Sequence, residues 1–334
     1  MNTYNSDFGI LDRLSSSTVE KEDVLEMLSA TGELQDELFM RAREIRNAHC
    51  GNKAFIRGVI EFSNYCQKSC NYCALRAPNK GVAHYRMTPD EIIEIAKVIH
   101  SQGIKIIFLQ AGQDPKCDEI LEVVIPRLKR EFNSEVLLCV GERSKEKYYR
   151  FRELGADSYI LKYETSDPIL YESTAYTPLK NRLDCVNWIK SSGMKLGVGN
   201  IVGLPRQTFE SLADDIMLGK ELSPDFISTS PFVANENTPY ENAPPGDYNL
   251  TLNTMAINRL IHKSTLLPTV SALERLCQDG QLQGLNAGAN VITINFTPPS
   301  KREHYAIYSN HRFVVKWDHA LGIIEKAGLK PDLN

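Results

Sequence analysis

Nowhere does this 334-residue chain hold the roughly 20 consecutive apolar residues that a membrane-spanning helix needs. The opening residues, MNTYNSDFGILDRLSSSTVEKED, lack a basic segment followed by an apolar core, so export is not expected and a cytoplasmic location is. Charge of neither sign dominates. Lys and Arg total 38 against 42 Asp and Glu, a formal net charge of −4, and no block of like charge occurs. That removes the usual electrostatic ground for a nucleic-acid or membrane-surface partner. Also missing are G-x-S-x-G, H-E-x-x-H and a phosphate-binding P-loop, so hydrolase and phosphoryl-transfer readings have no foothold. What remains is the composition of an ordinary soluble globular chain, 24% charged and 42% hydrophobic.

Cysteine is present in an uneven pattern. Of eight, three fall at C-x3-C-x2-C spacing in Cys66-Gln-Lys-Ser-Cys70-Asn-Tyr72-Cys73, and Cys50, Cys117, Cys139, Cys185 and Cys277 stand alone. A disulfide framework is not expected in a chain of this length without an export signal. The five solitary cysteines are most simply buried small hydrophobes. Three clustered thiolates can take three irons of a cubane cluster, where four thiolates are usual, leaving one iron open to another ligand. The competing reading is structural zinc. It asks for two Cys/His pairs, and no second pair exists here.

Organisation along the chain is rhythmic. Residues 9–49 read as helices, with a helix start signalled at Thr18-Val-Glu-Lys-Glu-Asp. From residue 54, short apolar strands alternate with amphipathic helices. Strands are expected at 55–62, 104–110, 136–141, 158–163, 195–201, 226–230, 267–270 and 290–294. Helices are expected at 88–102, 117–132, 145–154, 179–192, 208–222 and 250–262. Thr88-Pro89-Asp90-Glu91 carries a cap, a proline at the first helical position and an acid at the third. The tail from Arg312 to Asn334 reads as a final helix, with Gly328 and Pro331 past its end. Eight β/α units predict a (β/α)8 barrel with chemistry at the C-terminal strand ends; an open doubly wound sheet is the alternative. The implied division is a helical cap over 1–50, a barrel over 51–310 and a C-terminal helix over 311–334.

The stretches after the strands are the candidate site. The cysteine loop follows the first strand. Gln110-Ala-Gly112-Gln113-Asp-Pro follows the second, and its glycine allows a close backbone approach. Glu164 follows the fourth, with Arg182 eighteen residues on. A carboxylate and a guanidinium can grip a zwitterionic cofactor, although a surface salt bridge would leave the same signal. Gly197-Val-Gly199 does not open into a dinucleotide fingerprint.

These motifs resemble the radical S-adenosylmethionine (SAM) superfamily, in its biotin synthase-like branch. The carriers are Ile60-Glu-Phe-Ser-Asn64, Cys73-Ala-Leu-Arg76, Tyr85-Arg-Met-Thr-Pro89, Leu109-Gln-Ala-Gly-Gln-Asp-Pro115, Asn181-Arg182-Leu183, Val202-Gly-Leu-Pro-Arg-Gln-Thr208 and Gly288-Ala-Asn-Val-Ile292. The resemblance covers about residues 40–330. Within the branch the chain is most similar to the HydE family of FeFe-hydrogenase maturases. The resemblance implies a complete barrel, one 4Fe–4S cluster on Cys66, Cys70 and Cys73, and SAM. It carries over Glu164 and Arg182 as SAM contacts, with Tyr72, Gln110, Gly112 and Gln113 beside them. It implies a small-molecule substrate inside the barrel, reduced ferredoxin or flavodoxin as electron donor, and anaerobic operation. A HydE-type activity would act on an iron–carbonyl–cyanide precursor. Departures exist: Gln113 stands where an acid is common, and Lys162 where HydE has Arg. The loop with Leu285-Asn-Ala-Gly-Ala-Asn290 is closer to methylornithine synthases, yet Ala272 falls where those enzymes place an Asp. A HydE-like paralogue with another substrate and a non-catalytic cluster scaffold are the other readings.

Overall fold

The computed structural model describes residues 4–308 and 312–333. Three helices come first, α1 (Tyr4–Leu14), α2 (Lys21–Leu28) and α3 (Gly32–Cys50). Alternation then begins with β1 (Lys53–Ser63), α4 (Pro89–Ser101), β2 (Ile106–Ala111), α5 (Cys117–Phe132), β3 (Glu135–Cys139), α6 (Lys145–Leu154) and β4 (Ser158–Ile160). It continues through α7 (Pro168–Ala175), α8 (Leu179–Ser191), β5 (Lys195–Val202), α9 (Phe209–Leu222), β6 (Phe226–Pro231) and α10 (Tyr248–Ile261). The chain ends with α11 (Leu273–Leu276), α12 (Gly280–Asn286), β7 (Val291–Asn295), α13 (Pro299–Arg302), α14 (Trp317–Lys326) and β8 (Lys330–Asp332).

Strands pair in parallel in the order β6-β5-β4-β3-β2-β1-β7. Two isolated parallel bridges, Phe226↔Leu266 and Pro268↔Val291, close the ring. The expected barrel is therefore present, but its seventh strand, expected at 267–270, is reduced to bridges. Pro268 has no N–H to give a ladder, which keeps that segment from lengthening.

Parity along each strand separates two environments. On β1, Ala54, Ile56, Ile60 and Phe62 join the main apolar cluster under the helices. Arg57, Val59 and Glu61 line the interior. Val59, Ile106, Phe108, Leu137 and Ile160 make a second, internal apolar cluster. Even the inward residues of β1 are buried, as in any parallel strand covered on both faces.

The helix start at Thr88 is as expected. Its hydroxyl accepts from Glu91 N, and Glu91 returns a bond to Thr88 N at 2.7 Å. The expected start at Thr18 gives way to Glu20, which forms a capping box with Asp23. The N-terminal helices lie against α9 and α10. Arg46, fully buried on α3, donates to Leu285 O at 2.6 Å, and Arg259 on α10 donates to Gly288 O at 2.8 Å. Two guanidiniums thus fix the turn that leads into β7.

The C-terminal helix is shorter than expected. Residues 312–316 form no helix, and Asn295 N donates to Val315 O at 3.1 Å. Phe313-Val-Val315 favours extended backbone. Helix α14 stops before Gly328, at φ 68°, and β8 then pairs with β1 through Lys53↔Lys330. Helices α7, α11, α12 and α13 were not foreseen; each is short or proline-led. No helix among the described residues is long and apolar enough to cross a membrane.

Candidate active site

All nine residues singled out after the strands line one cavity of about 190 Å³: Cys66, Cys70, Tyr72, Cys73, Gln110, Gly112, Gln113, Glu164 and Arg182. They arrive from β1, β2, β4 and α8, so the fold and not local sequence brings them together. Two further cavities adjoin it. All three share Gln110, Cys139, Lys162 and Ile307.

The cysteine loop has no regular structure, yet its neighbours grip it. Gln67 N donates to Gln113 O at 3.0 Å, and Gln113 N donates to Cys66 Sγ at 3.4 Å. Asn71 bonds the end of α7 through its backbone N and its side chain, to Thr174 O and Ser173 O. Asn235, beyond β6, donates to Tyr72 O at 2.7 Å. A Cβ at Gly112 would stand 2.3 Å from Tyr65 O and 2.8 Å from Cys66 Cβ. The close approach made by Gly112 is therefore to the cysteine loop itself.

Burial pushes the Cys70 thiol up to about 11 and the Cys73 thiol further, chiefly by desolvation of the charged form. Among the described residues no three His, Cys, Asp or Glu side chains are placed to hold one metal ion together. A cubane makes no such demand, because each thiolate takes a different iron.

Arg182 is buried. Its Nε lies 2.9 Å from Glu142 Oε1 and donates to Tyr171 Oη at 2.8 Å, and Nη1 donates to Lys162 O. Glu142 also meets Lys68 at 3.0 Å. Burial alone would raise its carboxyl; Arg182 and Lys68 outweigh that and hold it below the usual range. Glu164 has φ 65°, an uncommon backbone for a residue other than glycine. Its Oε2 lies 3.2 Å from Lys162 Nζ and accepts no hydrogen bond. The surface-salt-bridge reading of Glu164 and Arg182 fails, because Arg182 is buried against Glu142 and Glu164 faces Lys162 instead. Gln113 serves as a brace: its Oε1 accepts from Glu142 N at 2.9 Å.

Lys68, Glu142, Arg57, Cys139 and the Glu61–Arg312 pair carry no motif that marks them in the sequence. Strand parity was the available signal. In β1, β2, β3 and β4, every second residue from Arg57, Ile106, Leu137 and Ile160 points inward, which would have placed Cys139 and Lys162 on the axis. Of the solitary cysteines, Cys117 and Cys185 are buried as expected, whereas Cys139 lines the cavities and Cys277 is exposed.

The residues fit a cubane cluster and a zwitterionic cofactor. Three thiols share one loop, a glycine is required beneath it, and a buried carboxylate oxygen without a hydrogen bond faces the same space. Comparison with known proteins agrees. The radical SAM superfamily model matches residues 60–218. The chain is 36% identical to the [FeFe] hydrogenase maturase subunit HydE of Thermotoga maritima, over 96% of this chain and 94% of that one. It is 30% identical to the 3-methylornithine synthase of Methanosarcina acetivorans, over 89% and 87%. The crystal structure of methylornithine synthase (PylB) superposes with a TM-score of 0.85 at 24% identity, covering 97% of both chains.

Proposed function

Because this chain belongs to the radical SAM superfamily, enzymes that use a 4Fe–4S cluster and SAM, we propose that it is a HydE-like enzyme acting on a small iron complex inside its barrel. When bound, the cluster and SAM would supply radical chemistry through reductive cleavage of the cofactor. Everything else falls to the residues of the chain. Cys66, Cys70 and Cys73 would hold the cluster through their thiolates. Glu164, whose Oε2 accepts no hydrogen bond although Lys162 Nζ stands 3.2 Å away, would face the donors of SAM. Arg182 keeps a positive charge at the same mouth, fixed in place by Glu142 and Tyr171. Tyr72, Gln110, Gly112 and Gln113 shape the walls, and Tyr305 and Ile307 help to exclude water. Reduced ferredoxin or flavodoxin in an anaerobic cytoplasm completes the reading.

The observation that carries it is the convergence of nine residues from four separate elements on one cavity. An amino-acid substrate is disfavoured by the inner cavity. Its lining carboxylate, Glu61, is already bonded to Arg312, which leaves a substrate ammonium no free partner among the described residues there. Ala272, beside the lining residue Ser271, is fully buried and adds no charge.

The test is release of 5′-deoxyadenosine by anaerobically reconstituted, reduced protein with SAM, beside Cys70→Ala. An iron dicarbonyl cyanide complex and lysine are added in separate arms. Release that needs Cys70 and rises with the iron complex is the expected result. A rise with lysine alone moves the enzyme to the methylornithine synthase type. No release above Cys70→Ala, with the cluster verified, leaves a binding scaffold.

A further inference from the structure

Inside the barrel, Cys139 ends β3 at the junction of all three cavities. It is a free thiol in a largely apolar setting beside Val59, Ile106, Phe108, Leu137 and Ile160. Arg57 lines the innermost cavity with it. The guanidinium is buried, its Nε donates to Thr293 Oγ1 at 2.7 Å, and it lies over the Phe108 ring. Nη1 is buried and has no partner. Arg57 makes no ion pair among the described residues, while Glu61 is taken by Arg312 and Glu164 by Lys162. This chamber therefore holds one unmatched positive charge, a costly arrangement unless a ligand brings the matching anion.

We propose that Cys139 and Arg57 form a substrate subsite, in which Cys139 Sγ becomes an exchangeable thiolate ligand to the iron of an incoming complex and Arg57 pairs with an anionic ligand on that iron. This rests on the function proposed above. A thiol adds little hydrogen bonding to a pocket; what it adds is soft-metal ligation, the property that separates it from the Ser and Thr residues around it. The step is a ligand exchange. The S–H and Fe–X bonds break, S–Fe and H–X form, and the iron keeps its oxidation state, so no electron donor is required. Burial holds the free thiol protonated, up to about 11, and metal binding displaces that proton. The nearby Arg57 charge favours the resulting thiolate.

The experiment uses the full chain with its cluster reconstituted, in a Cys277→Ser background that removes the exposed thiol. The probe is a ferrous dicarbonyl cyanide complex with one labile iodide, followed by infrared spectroscopy. Bound to Cys139, thiolate in place of iodide lowers the carbonyl stretching frequencies. Cys139→Ser is expected to lose that shift, and Arg57→Met to keep it with at least tenfold weaker binding. An equal shift in Cys139→Ser overturns the inference. Should that variant lose its fold, maleimide labelling of the parent protein decides. Mass spectrometry is expected to find Cys139 protected by the complex, and unchanged labelling overturns the inference. SAM cleavage is measured in the same preparation. Its absence sinks the broader function, whereas cleavage without a Cys139-dependent shift sinks this subsite alone.

Discussion

Glu142 and Gly112 show how differently two residues of one site announce themselves. Gly112 is visible in the sequence as a turn glycine next to a cysteine loop. Its actual constraint, a backbone oxygen 2.3 Å from where a Cβ would sit, is a tertiary contact. Gly112→Ala must push the loop at Tyr65–Cys66 away from β2, because backbone cannot yield as a flexible side chain can. We expect it to fold and to lose most of its cluster iron, read as iron per chain after reconstitution; full iron content would show the loop to be soft. Glu142 leaves no local mark at all, since its meaning comes from Lys68 and Arg182, 74 and 40 positions away in the chain. Glu142→Gln leaves the half-buried Lys68 and the buried Arg182 sharing no carboxylate. Weaker SAM binding, roughly tenfold or about 1.4 kcal/mol, is expected by isothermal titration, with the cluster spectrum unchanged. The three loop cysteines were legible because their spacing is local; Lys68, Glu142 and Cys139 were not, because only the barrel gives them neighbours.

At the scale of elements, the turn after β4 is held from outside the barrel. Glu164 takes its left-handed backbone while Glu164 N donates to Gly199 O and its own carbonyl accepts from Ile201 N. Behind it, Asp215 of α9 accepts from Thr165 Oγ1 at 3.1 Å, from Ser166 N and Oγ, and from Gln207 Nε2 at 3.0 Å. Burial raises the Asp215 carboxyl to about 7 in spite of those donors. A folded-state value above the ordinary 3.8 means that the native protein holds a proton which the unfolded chain releases. The contribution of Asp215 to stability is then greatest below about 4 and is lost as pH rises through 7. Wild-type melting temperature should fall more steeply between pH 5.5 and 8 than that of Asp215→Asn. Parallel profiles would mean that the four donors keep the carboxylate ionised throughout. Most of the elements themselves were legible, since α5 and α6 follow from helical period and β2 from the apolar run Ile106-Ile-Phe-Leu109. The exceptions have separate causes: Pro268 limits the seventh strand to bridges, Phe313-Val-Val315 turns 312–316 away from helix, and the three-residue β8 is set by its pairing with β1.

Over the whole molecule, one apolar cluster runs from Ile10 through the barrel helices to Leu329. The eight-unit rhythm made the barrel legible, but nothing in it tells that the C-terminal segment returns to the barrel mouth. That return is fastened by Arg312, whose two terminal nitrogens meet both oxygens of Glu61 at the end of β1. Both side chains are buried, 10% and 2% exposed, so the pair cannot be treated as a surface bridge. Removing one partner of a buried pair strands the other charge, at a cost of about 3–5 kcal/mol, whereas replacing both by apolar groups is often neutral. Arg312→Met should accordingly destabilise the protein by that amount in urea unfolding, and Glu61→Leu combined with Arg312→Met should recover most of it. The double variant also separates fastening from chemistry. Tyr305 and Ile307 line the proposed SAM cavity shortly before Arg312 in the chain, so stability should return while uncoupled 5′-deoxyadenosine release rises. Restored stability with unchanged release would instead show that the segment closes the mouth without help from the ion pair.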